Sequence, residues 1–184
     1  MVNGRPAWLG EVSRLDRACY AAIASTSTPT LDRAMARLSH AADYSRLSLA
    51  AATGLALFGG GSGRRAAATG LASIAVTATV VNVAVKPLAR RRRPDRVGHE
   101  VPLARHVPMP LSRSFPSGHS ASAFAFAGGA GSVVPTVSLP LHALAALVAY
   151  SRVHTGVHYP LDTIAGSVLG AGLSQVTTGL ARAF

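Results

Sequence analysis

Residues 66–85 form an unbroken run of 20 uncharged, mostly apolar residues, and no other stretch limits the fold as much. A helix of that length rises about 30 Å, the thickness of a bilayer's hydrocarbon core. In lipid the backbone N–H and C=O groups must bond inside their own segment, which leaves a helix as the solution for a single run. Four more segments share its apolar character: 47–61, 116–137, 141–150 and 160–180. The pattern predicts an all-α, polytopic membrane helix bundle with five transmembrane helices, or six if the first N-terminal helix also crosses. Between the segments, Gly59-Gly60-Gly61-Ser62-Gly63-Arg64-Arg65 and Ser138-Leu139-Pro140 are expected as turns, and Lys86-Pro87 as the end of the longest run. Gly166 and Gly170, one turn apart, suit close helix packing.

Residues 1–46 differ in character and form the first of two expected units, with 47–184 as the membrane unit. Leu9, Val12, Leu15, Ala18 and Ala22 recur at helical spacing among Glu11, Arg14, Asp16 and Arg17. Thr28-Pro29 interrupts the pattern, and Leu31, Met35 and Leu38 resume it. Two amphipathic helices lying on the membrane surface or on the bundle are expected. Neither a long apolar core nor a small-residue cleavage pattern stands near Met1, so a cleaved signal peptide is not expected. Cys19, the only cysteine, is expected as a small buried apolar residue.

Charge is the second constraint. Lys and Arg number 18 against 7 Asp and Glu, for a net charge of +11. Such a balance raises nucleic acid as a partner. Aromatic residues make up only 5 %, however, and the apolar runs fit basic loops between membrane helices far better. With five spans, 15 of the basic residues fall on the face that carries the 87–115 loop and 3 on the other. The positive-inside rule then puts that face in the cytoplasm of a bacterial inner membrane.

Three polar segments meet on that face. Phe115-Pro116-Ser117-Gly118-His119-Ser120 opens the 116–137 run. Pro116 tolerates the first helical position, Ser117 is a preferred N-terminal residue, and Gly118 lets a ligand approach the backbone. Free N–H groups there suit an oxyanion, with His119 to exchange a proton. A plain helix cap uses the same residues, so this stretch alone leaves both readings open. The second segment holds Lys86 and, after six intervening residues, Arg93-Pro94. The third is Ser151-Arg152, five residues, His158, three residues, then Asp162. Lys86, Arg93 and Arg152 are three cations able to surround a phosphate. Asp162, in the first turn of the helix expected from Pro160, is spaced to orient His158.

With these residues in place the chain resembles the type 2 phosphatidic acid phosphatase superfamily, whose signatures K-x6-RP, PSGH and SR-x5-H-x3-D all occur here in order. The resemblance covers about residues 47–180. It implies an integral membrane lipid-phosphate phosphatase that needs no metal and no cofactor. His158 would attack phosphorus to form a phosphohistidine, and His119 would protonate the leaving oxygen and later activate water. Lys86, Arg93, Ser117, Gly118 and Arg152 would hold the phosphate. The partners implied are a lipid phosphate and the bilayer, not nucleic acid, with self-association left open. Among substrates, a polyprenyl-linked sugar phosphate (decaprenylphosphoryl-5-phosphoribose) stands first by similarity to small actinobacterial members. Phosphatidic acid, phosphatidylglycerol phosphate and polyprenyl diphosphate are the alternatives. Vanadium haloperoxidases share the signatures but are larger soluble chains, and an inactive lipid-binding scaffold would not need His119, His158 and Asp162 together. Arg90, Arg91 and Arg92 are expected as topological anchors. His154 is a lesser candidate for the site, and His142 is expected to be hydrogen-bonded inside a helix.

Overall fold

The computed structural model describes residues 6–183, with side chains described as far as residue 180. The signal-peptide expectation near Met1 and the Arg5 and Arg182 side chains counted above lie outside them. Among the described residues every regular element is helical.

Helices α1 (Ala7–Ser25) and α2 (Pro29–Ala41) are the two N-terminal helices, divided at Thr28, with Pro29 at the position that needs no N–H. The face α1 turns inward is not the apolar row. It buries Asp16, Tyr20 and Ala24, one per turn, while Trp8, Leu9, Val12 and Leu15 stay exposed. Cys19 is exposed as well, against expectation, because the row set by Asp16 and Tyr20 leaves position 19 outside.

A 3-10 turn at Asp43–Ser45 leads to α3 (Arg46–Phe58) and α4 (Gly60–Thr79). The expected glycine-rich turn is mostly helix. The chain bends only at Gly59 and Gly60, where Gly60 adopts φ +59°. A Cβ on Gly63 would stand 2.1 Å from the Leu55 carbonyl oxygen, so glycine is what lets α4 begin against the end of α3. Beyond α4 a π-helical stretch, Val80–Val85, runs into the short α5 (Lys86–Leu88). Pro87 crowds the preceding turn, and the widened stretch gives the Lys86 N–H a bond to the Val81 carbonyl.

Helix α6 (Gly118–Val133) is central, packed against α4, α7 (Pro135–His154) and α8 (Pro160–Ala183). It starts at Gly118, with Ser117 as its cap and Pro116 outside the helix. The turn expected at Ser138-Leu139-Pro140 is absent. The chain reverses at Val134, Pro135 opens α7, and Pro140 lies inside it. The Ser138 side chain sits 2.8 Å from where a Cβ on Gly131 would be, so that glycine lets the reversal close earlier. Ser151 to His154 form the last turn of α7 rather than part of the connector, which shortens it to 155–159.

Two stretches, Gly60–Leu88 and Pro135–His154, are long and apolar enough to cross a membrane. On the first, Arg65 and Lys86 stand at opposite ends, roughly 30 Å apart along the axis.

Candidate active site

The three signature segments converge at one end of the bundle. His158 lies in the connector between α7 and α8 and is 2 % exposed. Its Nδ1 faces the Asp162 carboxylate at 3.6 Å, and its Nε2 is 3.1 Å from an Arg93 guanidinium nitrogen. The Asp162 carboxylate is itself held in place. It accepts from Ser114 Oγ, from the Tyr159 N–H at 3.0 Å and from Arg91 at 2.9 Å. Burial drives the His158 pKa down to about 4, even though Asp162 pulls the other way. At neutral pH the ring is therefore uncharged. With its N–H directed at Asp162, the lone pair sits on Nε2.

The cations arrive from three elements. Lys86, on α5, reaches to within 3.6 Å of where a Cβ on Gly118 would be. Arg93 donates to the carbonyls of Ser112 and Val157 at 2.9 and 3.0 Å. Arg152, in the last turn of α7, is 1 % exposed and donates to Ser39 Oγ at 2.6 Å. Among the described residues its buried Nε–H has no partner, which leaves a donor suited to an anionic oxygen. Ser117 Oγ accepts from the Ser120 N–H and hydroxyl at 3.4 and 3.0 Å, so it caps α6 and keeps its own proton to donate. The Ser117 N–H donates to the Asp162 carbonyl at 2.8 Å, which ties the second signature to the third.

His119 stands apart from His158, across this cluster. Its Nε2 is 3.0 Å from Asp43 Oδ1, and the same carboxylate lies 3.5 Å from Arg152. A cavity of about 390 Å³ opens beside it, lined by Lys86, Gly118, His119 and the residues Val81 and Asn82 of the π-helical stretch. A much smaller apolar pocket of about 30 Å³ lies between α3, α6 and α7, lined by His119, Leu47, Ala51, Phe126 and Leu144.

Sequence reasoning missed the acidic partners of this end. Arg91, expected as an anchor, bridges Asp16 of α1 and Asp162, and its guanidinium lies 4.2 Å from the Tyr159 ring centre. Arg90 and Arg92 beside it are exposed. Arg105 is fully buried, donating to Asp32 at 2.8 Å and to the Ile23 carbonyl at 2.8 Å. His154 does not line the site, because its Nε2 pairs with the same Asp32 at 2.9 Å. His142 bonds the Ser138 carbonyl at 2.8 Å. The signal for these pairings lay in scarcity: a chain with 18 basic residues has only 7 acidic ones, and a buried acid among them demands a cation.

Comparison with known proteins shows the family and the fold. The sequence model described as the PAP2 superfamily matches residues 67–183. The decaprenylphosphoryl-5-phosphoribose phosphatase of Mycobacterium tuberculosis is 37 % identical over 106 residues, 55 % of this chain and 54 % of that one. The chain thus spans about half the length of the curated relatives it matches. Among solved structures, LpxE of Aquifex aeolicus superposes with a TM-score of 0.71 at 25 % identity, covering 90 % of this chain and 95 % of that one. A transmembrane PAP2 type phosphatidylglycerolphosphate phosphatase from Bacillus subtilis superposes with a TM-score of 0.70 at 24 % identity, covering 95 % and 88 %.

Proposed function

The chain belongs to the PAP2 superfamily, and from that we propose that it is an integral membrane phosphatase hydrolysing the phosphomonoester of a lipid phosphate through a phosphohistidine on His158. One observation carries the reading. The buried, neutral His158 has Nδ1 turned to Asp162 and Nε2 turned to Arg93, in a site where Lys86, Arg93 and Arg152 converge. A phosphate that takes the Arg93 N–H groups frees the Nε2 lone pair to face phosphorus. Attack forms the N–P bond as the P–O bond to the lipid breaks, and His119 gives its proton to the leaving oxygen. Water then attacks phosphorus and gives a proton to His119. The N–P bond breaks and inorganic phosphate leaves. The three cations stabilise the charge that grows on the equatorial oxygens in each step, the part a metal ion plays in other phosphatases.

The preferred substrate is a polyprenyl-linked sugar phosphate, decaprenylphosphoryl-5-phosphoribose, in cell-wall precursor synthesis. The likeness to the mycobacterial phosphatase supports it. Five spans, α3, α4 with its extension, α6, α7 and α8, put the site on the cytoplasmic face. The exposed Trp8, Leu9, Val12 and Leu15 let α1 rest in the membrane interface. Residues 47–184 form the phosphatase unit, with 1–46 closing over its polar end.

Phosphate release from a panel of lipid phosphates in detergent, with chelator present, tests this reading. Release from the polyprenyl sugar phosphate above phosphatidic acid, phosphatidylglycerol phosphate and polyprenyl diphosphate is expected, with inhibition by vanadate. A different order changes the substrate. Loss in chelator with recovery on added metal refutes the mechanism.

A further inference from the structure

We propose that Asp43 is a positioning residue for His119: its carboxylate holds the imidazole at Nε2 and aims the ring at the leaving-group oxygen. The proposal rests on the phosphatase reading above. Asp43 comes from the 3-10 turn between α2 and α3, outside residues 67–183 and outside all three signatures.

The surroundings of His119 explain why a carboxylate is needed. Arg152 of α7 lies 3.5 Å from the Asp43 carboxylate and Lys86 of α5 lines the same cavity as His119, so positive charges crowd the ring. Among the described residues Asp43 is the acidic group that answers them. Its Oδ1 lies 3.0 Å from His119 Nε2 and 3.5 Å from Arg152, while Oδ2 is 3.2 Å from His40 Nδ1 of α2. Tyr44 is the remaining titratable group lining the adjoining cavity.

The backbone is bent to deliver this carboxylate. Tyr44 (φ 55°, ψ 29°) and Ser45 (φ 58°, ψ 23°) both occupy the left-handed region, where a residue with a Cβ sits at a cost. Two such residues in succession, neither of them glycine, turn the chain directly after Asp43. The site thereby holds two carboxylate–histidine pairs on opposite nitrogens: Asp162 on Nδ1 of His158, Asp43 on Nε2 of His119. The first pair leaves Nε2 free to attack. The second leaves Nδ1 free to give and recover a proton.

A leaving-group comparison on the full chain in detergent separates this role from a structural one. A lipid monophosphate expels an alkoxide and needs the proton, whereas p-nitrophenyl phosphate expels a stable phenolate and does not. Asp43→Asn is expected to lower kcat on the lipid ester by ~10–100-fold and on the aryl ester by less than ~3-fold, with KM little changed. The basic limb of its pH profile moves to lower pH, and Asp43→Glu restores part of the rate. Adding Asp43→Asn to His119→Asn causes no further loss. The ratio of the two esters within one preparation does not depend on how much of the protein is folded. Equal loss on both esters, a rise in KM alone, or a faster variant overturns the proposal; the last would mark Asp43 as a carboxylate that competes with phosphate. Absence of phosphate release by the unmodified protein would remove the phosphatase reading itself, and undiminished release by His158→Ala would remove its nucleophile.

Discussion

Gly166 sets the distance between the two halves of the site, and its replacement by alanine should show it. An alanine Cβ there would lie 2.4 Å from the Ser117 carbonyl oxygen, a backbone atom at the start of α6. Ordinary contact is about 3.4–4 Å, so α8 has to withdraw from α6 by roughly 1 Å. Asp162 rides on the first turn of α8 and His158 precedes it, while Ser117, Gly118 and His119 ride on the start of α6. The shift therefore opens the site between nucleophile and acid. A displacement of about 1 Å costs on the order of 100-fold in rate, and forced overpacking destabilises by about 1–3 kcal/mol. Gly172→Ala on the same helix is the control. Among the described residues nothing lies within 4 Å of the Cβ it would add, and the gain in helix propensity is up to ~1 kcal/mol. Phosphate release and thermal unfolding in one detergent compare the pair. Equal rates and equal melting temperatures would refute the claim that this packing contact gauges the site.

Other substitutions probe the charges. Asp162→Asn should lower kcat by about 10²–10⁴-fold, by losing both the tautomer of His158 and the partner of Arg91, in steady-state phosphate release with KM changed far less. Arg105→Met takes the guanidinium from buried Asp32, which keeps only His154 and Thr28, and strands the Ile23 carbonyl; it should destabilise by about 3–5 kcal/mol, whereas exposed Arg92→Met should stay within ~0.5 kcal/mol, both by thermal unfolding. His158 has its pKa lowered from 6.5 to about 4 in the fold, so the unfolded chain takes up the proton first. Stability should therefore be full above pH 6.5 and fall by about 3 kcal/mol as pH approaches 4. His158→Asn should flatten that slope in melts run at pH 7.5, 5.5 and 4.5.

The parts of this protein that were legible in the sequence are those written locally. Helical periodicity gave the N-terminal helices and the break at Pro29, and signature spacing brought Lys86, Arg93, Ser117, Gly118, Arg152, His158 and Asp162 to one end. What stayed hidden depends on contacts far apart in the chain. Arg91 looks like Arg90 and Arg92 until the fold brings Asp16 and Asp162 to it. Asp43 looks like a loop acid until α2 and α3 carry it to His119. The two misplaced turns have different causes: Gly63 reads as part of a turn, yet it is a place where another segment comes too close for a Cβ, and Pro140 reads as a stop although it lies inside α7. Periodicity cannot see the neighbour that makes a glycine helical.

The central claim is a covalent phosphohistidine on His158. The direct measurement is to mix the protein with a substrate labelled in its phosphate, quench in alkali within the first turnover, and locate the label by peptide mapping. The expected result is an acid-labile, alkali-stable label on the peptide carrying His158, absent in His158→Ala. Label on another residue, or turnover by His158→Ala at the unmodified rate, would contradict it.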